Sequence, residues 1–150
     1  MLIIYIDADA CPVKEEIFRV ATRHNLQVYL VSNSHLNMTV DENVHKIRVN
    51  SDPDAADDWI VEHIKTGDIV ITTDILLAGR CLSNGACAIS PTGKILNDDN
   101  IGAAKAMREL RAYLRETGLA PSYNAPFSKH KRSHFLQSLE EVIQLIKRKA

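Results

Sequence analysis

The chain has 150 residues, of which 45% are hydrophobic and 25% charged, with a formal net charge of -1. That length and balance suit a single folded domain over residues 1–150 with one ordinary hydrophobic core, and they argue against a disordered chain. A nearly neutral protein does not hold nucleic acid by bulk attraction, so such a partner requires a local basic patch.

The first apolar run, residues 2–6, contains Ile and Tyr and reads as a strand buried on both faces. Its start carries no basic residue and the run is too short for a signal peptide. No apolar stretch is long enough to cross a membrane, so no membrane partner and a cytoplasmic location are expected. Pro12 suits a first helical turn, Ile17, Val20 and Ala21 repeat at helical spacing, and His24-Asn25 closes that helix. Residues 28–31 form the second strand, followed by the polar loop Ser32-Asn33-Ser34. Residues 44–49 alternate apolar with polar and read as a third strand near an edge. Ser51-Asp52-Pro53 is a helix-start signal, with Asp52 at the cap and Pro53 just inside. Trp59, Ile60 and Ile64 supply that helix's apolar face and Gly67 ends it.

Residues 69–71 are the fourth strand. Asp74 caps a short helix through Leu82, stopped by Asn84-Gly85. Residues 86–89 make a weak fifth strand and residues 91–93 a turn. A helix over 101–114 aligns Met107, Leu110 and Leu114. Residues 118–131 read as a loop, and a last amphipathic helix over 135–146 aligns Leu139, Ile143 and Ile146. Strands alternating with helices imply an α/β fold, a three-layer sandwich around a mainly parallel sheet of about five strands.

The acids fall in a pattern. Asp7 and Asp9 follow the first strand, Asp52, Asp54, Asp57 and Asp58 the third, and Asp74 the fourth. In open α/β sheets the ligand crevice lies beyond the carboxyl ends of the strands, at the topological switch point. Carboxylates brought together there repel by about 4 kcal/mol per pair at ~4 Å and an effective dielectric near 20, so they protonate or take a cation. Mg²⁺ or Mn²⁺ is the natural cation for an all-oxygen site. Asp52, Asp54 and Asp74 also suit plain helix capping, whereas Asp7 ends a wholly apolar strand and Asp57 lies beyond the cap position.

At these residues the chain resembles a known group. Asp7-Ala8-Asp9-Ala10-Cys11-Pro12-Val13, Asp54-Ala55-Ala56-Asp57-Asp58-Trp59-Ile60 and Gly67-Asp68-Ile69-Val70-Ile71-Thr72-Thr73-Asp74-Ile75 are similar to the YaiI/YqxD family of bacterial proteins, over essentially the whole chain. Leu76 departs from the proline often found there. The resemblance implies a fold similar to PIN domains, whose members include metal-dependent ribonucleases, with the first and fourth strands side by side. Carried over by position, the catalytic acids are Asp7, Asp54 or Asp57, and Asp74. Asp98 and Asp99 match a further acid after the fifth strand. The implied metal ligands are Asp7, Asp9, Asp57, Asp74 and Asp99, holding Mg²⁺ or Mn²⁺ for hydrolysis of RNA phosphodiester bonds.

Substrate contacts are expected from Asn33 after the second strand, from Lys14, and from Lys129, Lys131 and Arg132 in the strongest basic run, flanked by Tyr123, Phe127 and Phe135. A solvated charged loop is the plainer reading of that run. If Ser128 caps the last helix, these cations sit in its first turn, where the dipole disfavours them unless an anion lies opposite.

Cys11, Cys81 and Cys87 are odd in number, and their spacing suits neither a disulfide framework nor a zinc site; reduced thiols and a packing role for Cys11 are expected. The six histidines show no zinc-binding spacing. Two other functions fit the same residues. One is a non-catalytic RNA- or nucleotide-binding module with a degenerate acid cluster. The other is a haloacid-dehalogenase-type phosphatase, with Asp7 as covalent nucleophile and Asp9 as acid/base. Against the latter, Gly67-Asp68 precedes a strand, whereas that family's last acidic motif follows one. The sequence does not reveal a homo-oligomeric state.

Overall fold

A computed structural model describes residues 2–118 and 127–149. Its six strands are β1 (Ile3–Asp7), β2 (Gln27–Ser32), β3 (Val44–Arg48), β4 (Ile69–Ile71), β5 (Cys87–Ile89) and β6 (Ile95–Leu96). They form one sheet in the order β3-β2-β1-β4-β5-β6, parallel except for the β5–β6 pair. The chain therefore runs outward from β1 through β2 to β3, then returns to pair β4 on the other side of β1, with Ile4 opposite both Val28 and Ile69. The boundary between β1 and β4 is the switch point, and Asp7 ends one of its two strands.

Alternation along each strand makes the three layers. Ile4, Ile6, Val28, Leu30, Ile69 and Ile71 face one side, where α1 (Lys14–Arg23) and α5 (Lys129–Lys149) cover them with Ile17, Val20, Phe135, Leu139 and Ile143. Tyr5, Val31, Val70 and Ala88 face the other, under Ala56 and Ile60 of α2 (Ala55–His63) and Leu77, Ala78 and Cys81 of α3 (Ile75–Ser83). Each fully buried large aliphatic side chain contributes about 1.5–3 kcal/mol, so the period-two pattern selects this register against a one-residue slip. Among the described residues no helix is long and apolar enough to cross a membrane.

Several boundaries differ from the sequence reading. The sheet gains β6, because the turn at Pro91–Gly93 folds the chain back on β5 and Ile89 pairs with Ile95. Helix α2 starts after Asp54, not Asp52; the Asp52 carboxylate accepts the Asp54 N–H at 3.3 Å in the turn before it. It ends at His63 rather than at Gly67, because Ile64 is extended and the carboxylate of buried Asp68 takes the Lys65 N–H at 2.9 Å. Helix α5 begins at Lys129, six residues early, because the Ser128 hydroxyl accepts the Lys131 N–H at 3.1 Å. Helix α4 (Ile101–Glu116) has no buried residue, and Met107 and Leu110 are 46% and 50% exposed. It rests on α3 through Ile101 and Lys105, close to Gly79, and packs Ile101 and Ala104 against the core beside Leu96.

Candidate functional site

The carboxyl edge of the sheet at the switch point is built from hydroxyl–carboxylate pairs. Strand β1 delivers Asp7 at its last position, and β4 runs directly into Thr72, which is buried. The Thr72 hydroxyl donates to Asp7 Oδ2 at 2.9 Å and accepts the Asp74 N–H at 3.0 Å. One threonine thereby ties the end of β1 to the loop that starts α3. Asp74 caps α3, its Oδ1 accepting the N–H groups of Leu76 at 2.9 Å and Leu77 at 3.3 Å. Asp9 lies in a single 3₁₀ turn after β1. Its carboxylate accepts the Ser32 hydroxyl at 2.6 Å, at the last position of β2, and the Ser34 hydroxyl at 3.2 Å, in the loop that follows.

Asp57 comes from the first turn of α2 and lines the same cleft as Asp74. Burial, then the negative charges of Asp74, Asp7 and Asp54, push its carboxyl up to about 6. Burial also raises Asp7, against the Thr72 hydrogen bond, with Asp9 and Asp74 adding repulsion. Carboxylates packed this way carry an electrostatic cost that a cation would relieve.

Asp7, Asp9, Asp57 and Asp74 line one open cleft of about 420 Å³ together with Asn33, Thr73 and Arg108. Among the described residues no three His, Cys, Asp or Glu side chains are drawn together as a metal cage. The donor chemistry nonetheless suits a hard divalent cation: every candidate donor is oxygen, and two carboxyls are held above their ordinary range, by burial first and then by neighbouring acids.

The other expected site residues do not line this cleft. Asp54 is the exposed residue before α2 and reaches the site as a charge beside Asp57. Asp99 is exposed in the turn before α4, its N–H donated to Asn97 Oδ1 at 2.9 Å. Lys14 turns back to donate to the Cys11 carbonyl at 2.9 Å. Arg132 is committed to Glu16 Oε1 at 3.0 Å and the Pro12 carbonyl at 2.8 Å, and its guanidinium lies 5.2 Å from the Phe127 ring centroid. Phe135 is fully buried in the core, so it offers no stacking surface, and Tyr123 falls outside the described residues. Lys129 and Lys131 occupy the first turn of α5 on the α1 side of the sheet. Burial pushes the Cys11 thiol up to about 11, consistent with a packing role. Arg80 pairs with Asp58 at 3.1 Å.

Sequence reasoning passed over Thr72, Ser32 and Arg108. The first two follow apolar strands immediately, as the aspartates do, which is the signal they carry. Arg108 had a different one: with Arg111 and Arg115 it repeats at helical spacing.

Comparison with known proteins agrees with the motifs around these acids. The family described as "Uncharacterized BCR, YaiI/YqxD family" matches residues 5–145. A UPF0178 protein of Rhizobium meliloti is 50% identical over 97% of this chain and 99% of its own length. A UPF0178 protein of Agrobacterium fabrum is 51% identical over 97% of this chain and 95% of its own, and one of Rhodospirillum rubrum is 52% identical over 97% of each. No solved structure matches the chain significantly. With identity near one half along almost the entire length, and the acidic motifs inside the matched span, the chain belongs to the YaiI/YqxD family.

Proposed function

We propose that the chain is a PIN-like, metal-dependent ribonuclease hydrolysing phosphodiester bonds at the cleft of Asp7, Asp9, Asp57 and Asp74. The observation that carries this reading is the convergence of Asp7, Asp9, Asp57 and Asp74 on one cleft at the switch point. Acids gathered from separate strand ends in this way suit a divalent cation, which offsets their mutual repulsion.

A Mg²⁺ or Mn²⁺ ion bound there supplies Lewis-acid stabilisation of phosphoryl charge. Asp7, Asp57 and Asp74 are the residues to hold it, with Asp9 beside them. Asp7 is oriented through Oδ2 by Thr72, and Asp74 uses Oδ1 for its cap, so each keeps a second oxygen for the site. The attacking water gives its proton to solvent as its oxygen bonds to phosphorus. The phosphorus–oxygen bond to the leaving nucleoside breaks in line, and that oxygen takes a proton from solvent. Asn33, exposed on the rim, orients water or substrate, and Arg108 offsets charge on the non-bridging oxygens.

The phosphatase alternative gains nothing from Asp68, which is buried at the opposite sheet edge and accepts the N–H groups of Ile3 and Lys65 at 2.9 Å each. The test is cleavage of single-stranded RNA with and without Mn²⁺, for wild type and Asp7→Asn. Mn²⁺-dependent cleavage lost in the variant supports the reading. Mn²⁺ binding with no cleavage by the wild type replaces it with the non-catalytic RNA-binding module.

A further inference from the structure

Beside the acidic cleft runs a second groove of about 300 Å³, between α4 and the β5–β6 hairpin, lined by Lys94, Met107, Arg108, Arg111 and Arg115 among others. Arg108 and Thr73 belong to both, so the two spaces adjoin. Arg108, Arg111 and Arg115 are spaced by three and four residues and lie on one side of α4, forming a row about 10 Å long at 1.5 Å per residue. All three are exposed, and among the described residues neither they nor Lys94 enter an ion pair. Residues 119–126, which follow the helix, contain no acid.

Clustered cations repel one another, and α4 packs on the core through partly buried Ile101 and Ala104, which leaves the three exposed arginines on the side lining a groove without a packing role. On a chain with net charge of only -1 this is a local positive track, and it leads into the negative cleft. Arginine offers a planar fork matched to phosphate oxygens. A row of that length meets about three phosphates at the ~3.4 Å rise of a stacked strand. Met107, 46% exposed in the same groove, gives a base an apolar surface.

We infer that the α4 arginine row, with Lys94, grips the phosphate backbone of single-stranded RNA and leads it toward the aspartate cleft. The inference shares the substrate class of the proposed ribonuclease but requires no catalysis. Arg132, committed to Glu16, is not part of this track.

The test is fluorescence anisotropy of labelled oligouridylate in EDTA, from about 50 to 200 mM salt, for the wild type, Arg111→Gln/Arg115→Gln and Lys147→Gln/Lys149→Gln. Each single-strand phosphate contact contributes about 0.7 to the slope of log affinity against log salt, so the arginine pair should remove about 1.4. The lysine pair, on the last turn of α5, should leave the slope unchanged, and polyglutamate should not displace the RNA. Both arginines are exposed, and an unchanged Tm checks that the fold is kept. The inference is overturned if the wild type does not bind oligouridylate, if the arginine pair leaves the slope intact, if the lysine pair lowers it equally, or if polyglutamate competes as well as RNA. Because no metal is present, these outcomes are separate from Mn²⁺-dependent cleavage, which decides the ribonuclease reading.

Discussion

Asp57 and Asp74 stand at the starts of two different helices, α2 and α3, and line one cleft at the carboxyl edge of the sheet, where burial and then the Asp74 charge push the Asp57 carboxyl up to about 6. Folding therefore holds a proton on Asp57 that the unfolded chain, at the ordinary aspartate value of 3.8, has already released. The folded state binds more protons between 3.8 and about 6, so this group makes stability fall as pH rises through that window. Asp57→Asn should match the wild type near pH 4 and exceed it at about pH 7.5, by roughly 2–4 °C in Tm after allowing for solvent screening. Thermal melts across pH check this; an equal Tm difference at every pH would show that Asp57 is not raised.

The same repulsion predicts how a cation acts. Mn²⁺ at about pH 7.5 should raise Tm, EDTA should reverse the gain, and protons should erode it at about pH 5 because they compete for the carboxylates. Asp57→Asn should lose most of the gain. A Tm gain equal at both pH values would place the ion elsewhere.

Thr72 links two of the acids through one buried hydroxyl. Thr72→Val keeps the shape but leaves the Asp74 N–H unpaired and removes the hydrogen bond that counters burial at Asp7. The variant should lose about 1–3 kcal/mol of stability in urea titration, and Asp7 should rise further, read by NMR titration of its carboxyl. Thr72→Ser should restore both.

Arg132 and Glu16 form a structural pair that pins α5 to α1. Glu16 is 7% exposed and its Oε2 has no partner, so Arg132→Gln strands a buried charge. The loss should be about 1–3 kcal/mol, and adding Glu16→Gln should return part of it. A double-mutant cycle in urea measures the coupling, while oligouridylate binding by Arg132→Gln should stay at the wild-type level.

Gly93 makes the hairpin turn possible. Its φ is +95°, and a Cβ there would lie 2.6 Å from His134 Nδ1 and 2.9 Å from the His134 carbonyl. Its own carbonyl accepts the Ser138 hydroxyl at 2.6 Å. Gly93→Ala should cost more than about 1 kcal/mol in urea titration, through both the backbone conformation and the displaced α5 contact.

Much of the architecture was legible in the chain. Apolar runs such as Ile4–Tyr5–Ile6, with Asp7 at the end, declared buried parallel strands because such a strand needs cover on both faces. The caps at Asp74 and Asn84-Gly85 were readable because capping is local chemistry. Elements governed by distant packing were less so. The two-residue β6 has too little sequence to carry a period, and the first turn of α5 forms on Ser128 although its residues look like a charged loop.

What the sequence by itself determined is the layer order, the strand faces and the kind of side chain at each strand end, because these follow from hydrophobic period and local hydrogen bonding. Only the tertiary structure decided which charges meet. It brought Asp7, Asp9, Asp57 and Asp74 around one cleft and set Arg108 beside them, while Arg132 was drawn away to Glu16. Electrostatic partnership depends on distance in space, and the return of the chain from β3 to β4 creates distances that no spacing along the chain records.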